Sequence, residues 1–229
     1  RFKTDATSLM VRWTLSSKRL GKTHMPPSGV SGVDLYAKNA SGVLRFCGNG
    51  CPRDVTSTAS FRLPKSEEFV LYLPLYNGIQ SIEFGIPKGN KLFKCPAPSQ
   101  SQSIVFYGTS ITQGSSASRP GMATTAIVGR ELNVPILNFG FSGNAHMEIE
   151  VAELLSELDP AVYVLDPLWN MSHGMVSGGR VDVFVKTLRE KHPTTPIILV
   201  EDSSMRDQPS DKGNALRKKF DKFKQEGDK

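Results

Sequence analysis

The chain has 229 residues, 38% of them hydrophobic, which is enough for one large domain or two smaller ones. No apolar run approaches the roughly 20 residues needed to span a bilayer, and the first residues do not read as a signal peptide, so any such segment is expected to have been removed. The formal net charge of +6 is modest, and acidic residues dilute the densest basic cluster, a predicted helix face with Arg217–Lys219, Lys222 and Lys224. We therefore expect no nucleic-acid partner and no membrane span.

The first part of the chain, to about residue 97, reads as β-rich. Its apolar segments are short, several alternate apolar with polar residues, and turn residues separate them. The segments are Leu9–Leu15, Gly32–Ala37, Val43–Cys47, Ser60–Leu63, Phe69–Leu73 and Ile79–Ile86. This spacing predicts an antiparallel, jelly-roll-like β-sandwich as an accessory domain over residues 1–97.

The three cysteines of the chain are Cys47, Cys51 and Cys95. The first two bracket Gly48-Asn49-Gly50, a strong turn signal, so a disulfide across a hairpin is geometrically possible. The odd count leaves at least one thiol free, and the sequence does not choose between a disulfide and free thiols. No histidine lies close enough in the sequence to suggest a zinc site, so no metal is expected.

A Pro- and Ser-rich stretch, residues 95–103, predicts a domain boundary. Beyond it the pattern changes to alternating strands and helices. Strands are predicted at 103–107, 134–139, 161–166 and 196–201, and helices at 120–132 and around Val151–Leu158, Val181–Leu188 and Leu216–Phe223. Short helices between near-continuous apolar strands predict an α/β domain over residues 98–229, with a parallel sheet covered by helices on both faces.

The loops that follow the first three predicted strands carry polar groups, and such loops meet at one edge of a parallel sheet. Ser110 follows the first strand, Gly143 lies in the loop after the second, and Asn170 lies in the loop after the third. A hydroxyl, a backbone N–H and a side-chain amide in one place would supply a nucleophile and two oxyanion donors. Taken alone, the stretch Ser103–Gly114 is equally compatible with an ordinary loop in which Ser and Thr cap the backbone.

Three blocks, in this order, resemble the SGNH (GDSL-like) hydrolase superfamily over about residues 103–229. They are Gly108-Thr-Ser110-Ile-Thr112, Asn138-Phe-Gly140-Phe-Ser-Gly143-Asn144, and Asn170 within Leu168-Trp-Asn170-Met171. Within that superfamily the chain is similar to bacterial members with an N-terminal β-sandwich. The resemblance implies a three-layer, flavodoxin-like sheet, with Ser110 as nucleophile and the Ser110 N–H, the Gly143 N–H and the Asn170 side chain as the oxyanion hole.

For function, the resemblance implies a serine esterase that works through an acyl-enzyme, without metal or organic cofactor. A sandwich domain beside a soluble catalytic domain favours small acyl groups, above all O-acetyl esters on carbohydrates, as substrates. Members of the family are secreted or periplasmic, and we expect the same here. The alternative from a different class is a non-catalytic carbohydrate-binding or adhesion protein with a degenerate hydrolase domain.

The chain departs from the family pattern in three places. Thr109 stands where the family has an Asp that helps to order the loop, and Asn170 lacks the usual Gly two residues before it. The family's last block, Asp-x-x-His, supplies the general base and the acid that orients it, and nothing in the chain matches it. We expect this block beyond Lys229. The alternative is a base within the chain, for which His146 and His173, in the loops that follow the strands, are the candidates, although spacing assigns neither an acid partner.

Overall fold

The computed structural model of the protein describes residues 1–66, 68–96, 103–203 and 208–228. The chain divides into two compact units, the first made of Arg1–Ala97 with Gly114–Asn133 and the second of Pro98–Gln113 with Val134–Lys229. The predicted linker, 95–103, lies largely outside the described residues. The sequence placed 114–133 in the second domain, whereas their contacts place them with the N-terminal residues.

Twelve strands and seven α-helices lie within the described part of the chain. The strands are β1 (Phe2–Thr4), β2 (Ser8–Leu15), β3 (Val33–Lys38), β4 (Leu44–Gly50), β5 (Thr56–Arg62), β6 (Phe69–Tyr72), β7 (Ile79–Gly85), β8 (Leu92–Lys94), β9 (Ile104–Gly108), β10 (Ile136–Gly140), β11 (Val162–Asp166) and β12 (Ile197–Leu199). The helices are α1 (Pro27–Val30), α2 (Ser110–Gln113), α3 (Thr124–Glu131), α4 (Ile149–Leu155), α5 (His173–Ser177), α6 (Arg180–Lys191) and α7 (Asp211–Gln225). None of these helices is long and apolar enough to cross a membrane.

The first unit is the predicted antiparallel sandwich. One sheet has the strand order β4-β3-β6-β1-β8 and the other β5-β2-β7. Along β2, buried residues alternate with exposed ones, as a strand with one face on the core requires. The buried side chains of both sheets, among them Trp13, Leu35 and Phe69, form one hydrophobic cluster, and the Trp13 indole N–H donates to the Ser31 carbonyl at 3.0 Å.

The prediction of a turn at Gly48-Asn49-Gly50 is wrong, because these residues continue strand β4 to its end. A Cβ on Gly48 would lie 2.9 Å from the Phe61 ring, and one on Gly50 would lie 3.0 Å from the Trp13 indole. Glycine is therefore required here by the close approach of large aromatic side chains of the core, and not by a turn. All three cysteines are free thiols, so no hairpin disulfide exists.

The second unit contains the parallel sheet, in the order β10-β9-β11-β12. Numbered from β9, this order is 2-1-3-4, which is the flavodoxin-like arrangement that the resemblance implied. All four strands lie within two residues of their predicted limits. Residues from β9, β11, α4, α6 and α7 share one core, which includes Tyr107, Tyr163, Leu165 and Phe184.

The basic cluster of α7 is partly neutralised within the same unit. Asp182 of α6 accepts hydrogen bonds from the ammonium groups of Lys219 and Lys222. Burial acts to raise the pKa of Asp182, but the two lysines outweigh it and hold that pKa below its usual range. Two of the cluster's five cations thus stabilise the packing of α6 against α7.

Candidate active site

Three strands of the parallel sheet end at the same level. In the strand register, Gly108 at the end of β9 pairs with Gly140 at the end of β10 on one side and with Asp166 at the end of β11 on the other. The carboxyl ends of the central strand and its two neighbours therefore open onto one edge. This edge includes the switch point of the sheet, between β9 and β11, where open α/β sheets bind ligands.

Ser110 follows the central strand by two residues and is the first residue of α2. Its neighbour Thr109 is fully buried, with 0% of its surface exposed. The Thr109 hydroxyl accepts the Ile111 N–H at 3.3 Å, and the Thr109 carbonyl accepts the Gln113 N–H at 3.0 Å. Thr109 thus orders the start of this one-turn helix with its hydroxyl, at the position where the family pattern has a carboxylate.

Helix α2 is held against the sheet ends by contacts that only certain residues permit. A Cβ on Gly140 would overlap the backbone of Gln113, so only glycine lets β10 approach the helix this closely. The Asn138 side chain donates to the Thr112 carbonyl at 2.8 Å, and the Gln113 side chain accepts the Ser142 N–H at 3.1 Å. These contacts fix the helix that begins at Ser110.

A partly buried carboxylate at the end of β11 also contacts α2. Asp166 accepts a hydrogen bond from the Thr112 hydroxyl at 3.0 Å. Burial raises the pKa of Asp166, and the Thr112 hydrogen bond opposes only part of that shift. The pair ties the helix to the end of β11.

Gly143 is exposed and lies in a loop whose backbone repeatedly adopts left-handed conformations. The φ angle is 76° at Gly143, 70° at Ala145 and 55° at Met147. Glycine adopts this conformation freely, whereas Ala and Met are strained in it and need surrounding contacts to hold them there.

Those contacts come from Tyr107 and Glu148. The Tyr107 hydroxyl donates to the Glu148 carboxylate at 2.9 Å and accepts the Met147 N–H at 2.9 Å. Burial, followed by the carboxylate, raises the pKa of Tyr107 far above its usual range. Burial acts to raise the pKa of Glu148, but hydrogen bonds from its own N–H, from Tyr107 and from His146 together lower it. The strained loop is therefore pinned to the central strand.

Asn170 follows β11 through a turn in which its N–H donates to the Pro167 carbonyl at 3.1 Å. Its side-chain amide donates to the carbonyl of Asn144, the residue next to Gly143. The structure thus joins Asn170 directly to the Gly143 loop, and the strand register brings Ser110 to the same edge. Beside Asn170, the residue Trp169 is 44% exposed, and its indole N–H donates to the Ser203 hydroxyl at 3.2 Å.

Three of the four histidines lie in the second unit, each in a different setting. His146 Nδ1 lies 3.5 Å from a Glu148 carboxylate oxygen, a partner that the sequence did not reveal. His173 is the first residue of α5. His192 directly follows α6, and its Nε2 lies 2.9 Å from the Ser156 carbonyl oxygen. In the part of the chain that the structure describes, no group of three His, Cys, Asp or Glu side chains is arranged to hold a metal ion.

Comparisons with known proteins agree with this fold. Residues 101–225 match the family described as GDSL-like lipase/acylhydrolase, and residues 1–92 match the N-terminus of SGNH-hydrolase-type esterases, known by the motif GxDLY. The chain belongs to the GDSL-like lipase/acylhydrolase family, a family of esterase-type hydrolases. No curated protein matches it.

Two solved structures are similar along the whole chain. A protein from Bacteroides ovatus, provisionally assigned as a GDSL-like lipase, is 32% identical with a TM-score of 0.88, and the match covers 100% of this chain and 70% of that one. The salicylyl-acyltransferase SsfX3 from a tetracycline biosynthetic pathway is 21% identical with a TM-score of 0.72, covering 100% and 66% respectively. The second likeness shows the fold alone.

The GxDLY motif contains residues that the sequence analysis did not single out. It is Gly32-Val33-Asp34-Leu35-Tyr36, at the start of β3. Asp34 has no exposed surface, although it lies in a strand whose other residues are mostly apolar. An Asp within an otherwise apolar strand is the sequence signal that could have identified this site, since buried carboxylates are rare unless they are paired.

Proposed function

We propose that this protein is a serine esterase that hydrolyses small acyl esters, above all O-acetyl esters on carbohydrates, through an acyl-enzyme. Ser110 is the nucleophile, and the N–H groups of Ser110 and Gly143 with the Asn170 amide are the oxyanion donors. The observation that carries the proposal is the common level at which β9, β10 and β11 end, together with the hydrogen bond from Asn170 to the Gly143 loop.

In the first half of the reaction, the Ser110 oxygen attacks the acyl carbon and its proton leaves to a general base. The carbonyl oxygen becomes an oxyanion, which the three donors stabilise. The bond to the alcohol then breaks, the base returns the proton to that alcohol, and the acyl group stays on Ser110. Water repeats the sequence and releases the carboxylic acid. No metal or organic cofactor is needed, because the serine itself forms the covalent intermediate.

The substrate assignment is supported by the accessory sandwich and by Trp169. An exposed aromatic ring next to an oxyanion donor, held in place by the Ser203 hydrogen bond, offers a flat apolar face of the kind on which a sugar ring can pack. The partner is therefore a small-molecule or carbohydrate ester, and nucleic acid has no place in the proposal. Secretion or a periplasmic location follows from the family resemblance and fits an extracellular carbohydrate substrate.

The proposal is tested with the full-length protein, its S110A variant, a chain-length series of p-nitrophenyl esters and an acetylated sugar. We expect hydrolysis of acetate and of the sugar ester, little hydrolysis of long-chain esters, and no turnover by S110A. Esterase activity that persists in S110A would exclude Ser110 as the nucleophile. A preference for long acyl chains would be compatible with the esterase proposal but would overturn the assignment of carbohydrate O-acetyl esters as substrates.

A further inference from the structure

The buried carboxylate of Asp34 accepts hydrogen bonds on both of its oxygens. One carboxylate oxygen accepts the Gly121 N–H at 2.8 Å and the Arg119 guanidinium at 2.7 Å. The other accepts the Asn49 side-chain amide at 2.7 Å. Arg119 also donates to the Tyr36 hydroxyl at 2.9 Å and lies 3.9 Å above the Phe46 ring. The GxDLY motif therefore holds residues 119–121, which come from a later part of the chain.

Further contacts hold the residues between Gln113 and Arg119 on the same unit. The Ser28 hydroxyl donates to the Ser118 carbonyl at 2.7 Å, and a Cβ on Gly29 would overlap the Ala117 carbonyl. Gly114, with φ of 116°, lies so close to the Leu75 side chain that a Cβ would be 2.9 Å from it. The residue that follows α2 is thus already packed on the first unit.

We propose that Asp34 is a positioning residue for the nucleophile. Gly114 follows Gln113, the last residue of α2, and Ser110 is the first residue of that one-turn helix. Holding 114–121 against β3 restrains the chain that continues directly from the C-terminal end of the helix. The contacts of Gly140, Asn138 and Gln113 fix the side of the helix. This inference rests on the proposed role of Ser110 and extends it. It gives the sandwich a part in catalysis that does not depend on sugar binding.

The Asn49 contact provides a conservative rescue. In D34N, the new amide group must face a hydrogen-bond donor, either Asn49 on one side or Gly121 and Arg119 on the other. In D34N/N49D, the amide oxygen at position 34 can accept from Gly121 and Arg119, while the amide N–H donates to the new carboxylate at position 49. The double substitution restores the hydrogen bonds among positions 34, 49, 119 and 121 and keeps the net charge of the full-length protein. It loses the hydrogen bond that the Asn49 amide also donates to the Val33 carbonyl at 3.2 Å, because a carboxylate at position 49 has no proton to donate.

The experiment measures the rate at which a fluorophosphonate labels Ser110 in the full-length protein, with kcat and KM for p-nitrophenyl acetate. We expect D34N to reduce the labelling rate and kcat by about 10²-fold with KM little changed, because a displacement of about 1 Å at the reacting group has an effect of this size. D34N/N49D should restore both in part, since Asp at position 49 cannot donate to the Val33 carbonyl as Asn49 does. The control V11A removes methyl groups from the sandwich core away from 114–121. It should lower Tm, but at temperatures below its unfolding transition it should be labelled at the wild-type rate.

Hydrogen exchange across residues 108–123 separates this inference from the proposed function. Faster exchange at 110–113 in D34N, at least partly reversed in D34N/N49D, supports the positioning role of Asp34. If Ser110 of the wild type takes no fluorophosphonate label, that result counts against the esterase proposal alone, and the exchange data still test the positioning role. Unchanged exchange at 110–113 in D34N overturns the inference. Labelling of D34N at the rate of an active wild type would also overturn it. An equal loss of labelling rate in V11A would do the same, because general destabilisation would then explain the effect of D34N.

Discussion

The side-chain nitrogen of Asn170 carries two hydrogens, one of which the Asn144 carbonyl accepts. The second is available for an oxyanion, and the first sets the direction in which it points. We expect N170A to lower kcat in the full-length protein by about 10²- to 10³-fold, or about 2.7–4 kcal/mol, with a small effect on KM. N144A is the matched control, since it keeps the backbone carbonyl that orients Asn170. Equal losses in the two variants would contradict the assignment of Asn170.

Asp166 gives a pH-dependent prediction at the same scale. Its raised pKa means that the folded protein binds this proton more tightly than the unfolded chain does, whose Asp pKa is about 3.9. Stability is therefore lost as pH rises from that value through the folded pKa. D166N, whose amide oxygen can still accept from Thr112, should raise the free energy of unfolding at neutral pH, and the gain should vanish at about pH 3. Denaturant titrations at both pH values measure this; a destabilised D166N at neutral pH would show that the carboxylate is stabilising.

The sequence offered Ser110, Gly143 and Asn170 as candidates because each follows a recognisable apolar strand. It did not locate Tyr107 and Glu148, which pin the Gly143 loop, since they are 41 residues apart and only the folded chain brings them together. The same holds for Thr112 and Asp166, which are 54 residues apart.

At the scale of the element, glycine in strand β4 has a packing role. A Cβ on Gly50 would lie 2.8 Å from a Val33 methyl and 3.0 Å from the Trp13 indole. We expect G50A to destabilise the protein by about 1–3 kcal/mol through overpacking. G85A, in β7, is the control, because its nearest contact would be an ordinary 3.4 Å. Denaturant unfolding of both variants checks the difference; equal stabilities would mean that the core accommodates the methyl group at 50.

Most elements were predictable because their patterns are long enough to read. The four parallel strands are apolar runs, and α6 and α7 carry apolar stripes at helical spacing. Strands β1 and β8 were missed because each has three residues and, unlike β12, lies in no longer apolar run. Helix α3 was predicted as a helix, but its place in the first unit was not, since it depends on contacts such as Arg130 4.4 Å above the Tyr36 ring.

At the scale of the molecule, the first unit is not continuous in sequence, and a cut at residue 97 removes 114–133. The fragment 1–97 would leave the buried Asp34 carboxylate without Arg119 and Gly121, which is costly for a charge. We expect this fragment to be less stable than the same unit in the full chain, as urea unfolding followed by tryptophan fluorescence would show.

The sign of one substitution provides the control for that prediction. In the fragment, D34N removes an unpaired charge and should stabilise; in the full chain, it removes a paired one and should destabilise. A fragment as stable as the intact unit, or the same sign in both contexts, would show that 114–133 contributes little to the first unit.

The measurement that tests the central claim most directly is mass spectrometry of the full-length protein after reaction with a fluorophosphonate. The account predicts one adduct per chain, located by fragmentation at Ser110, formed in parallel with the loss of esterase activity and absent from S110A. An adduct on another residue, or complete loss of activity with Ser110 unmodified, would contradict it.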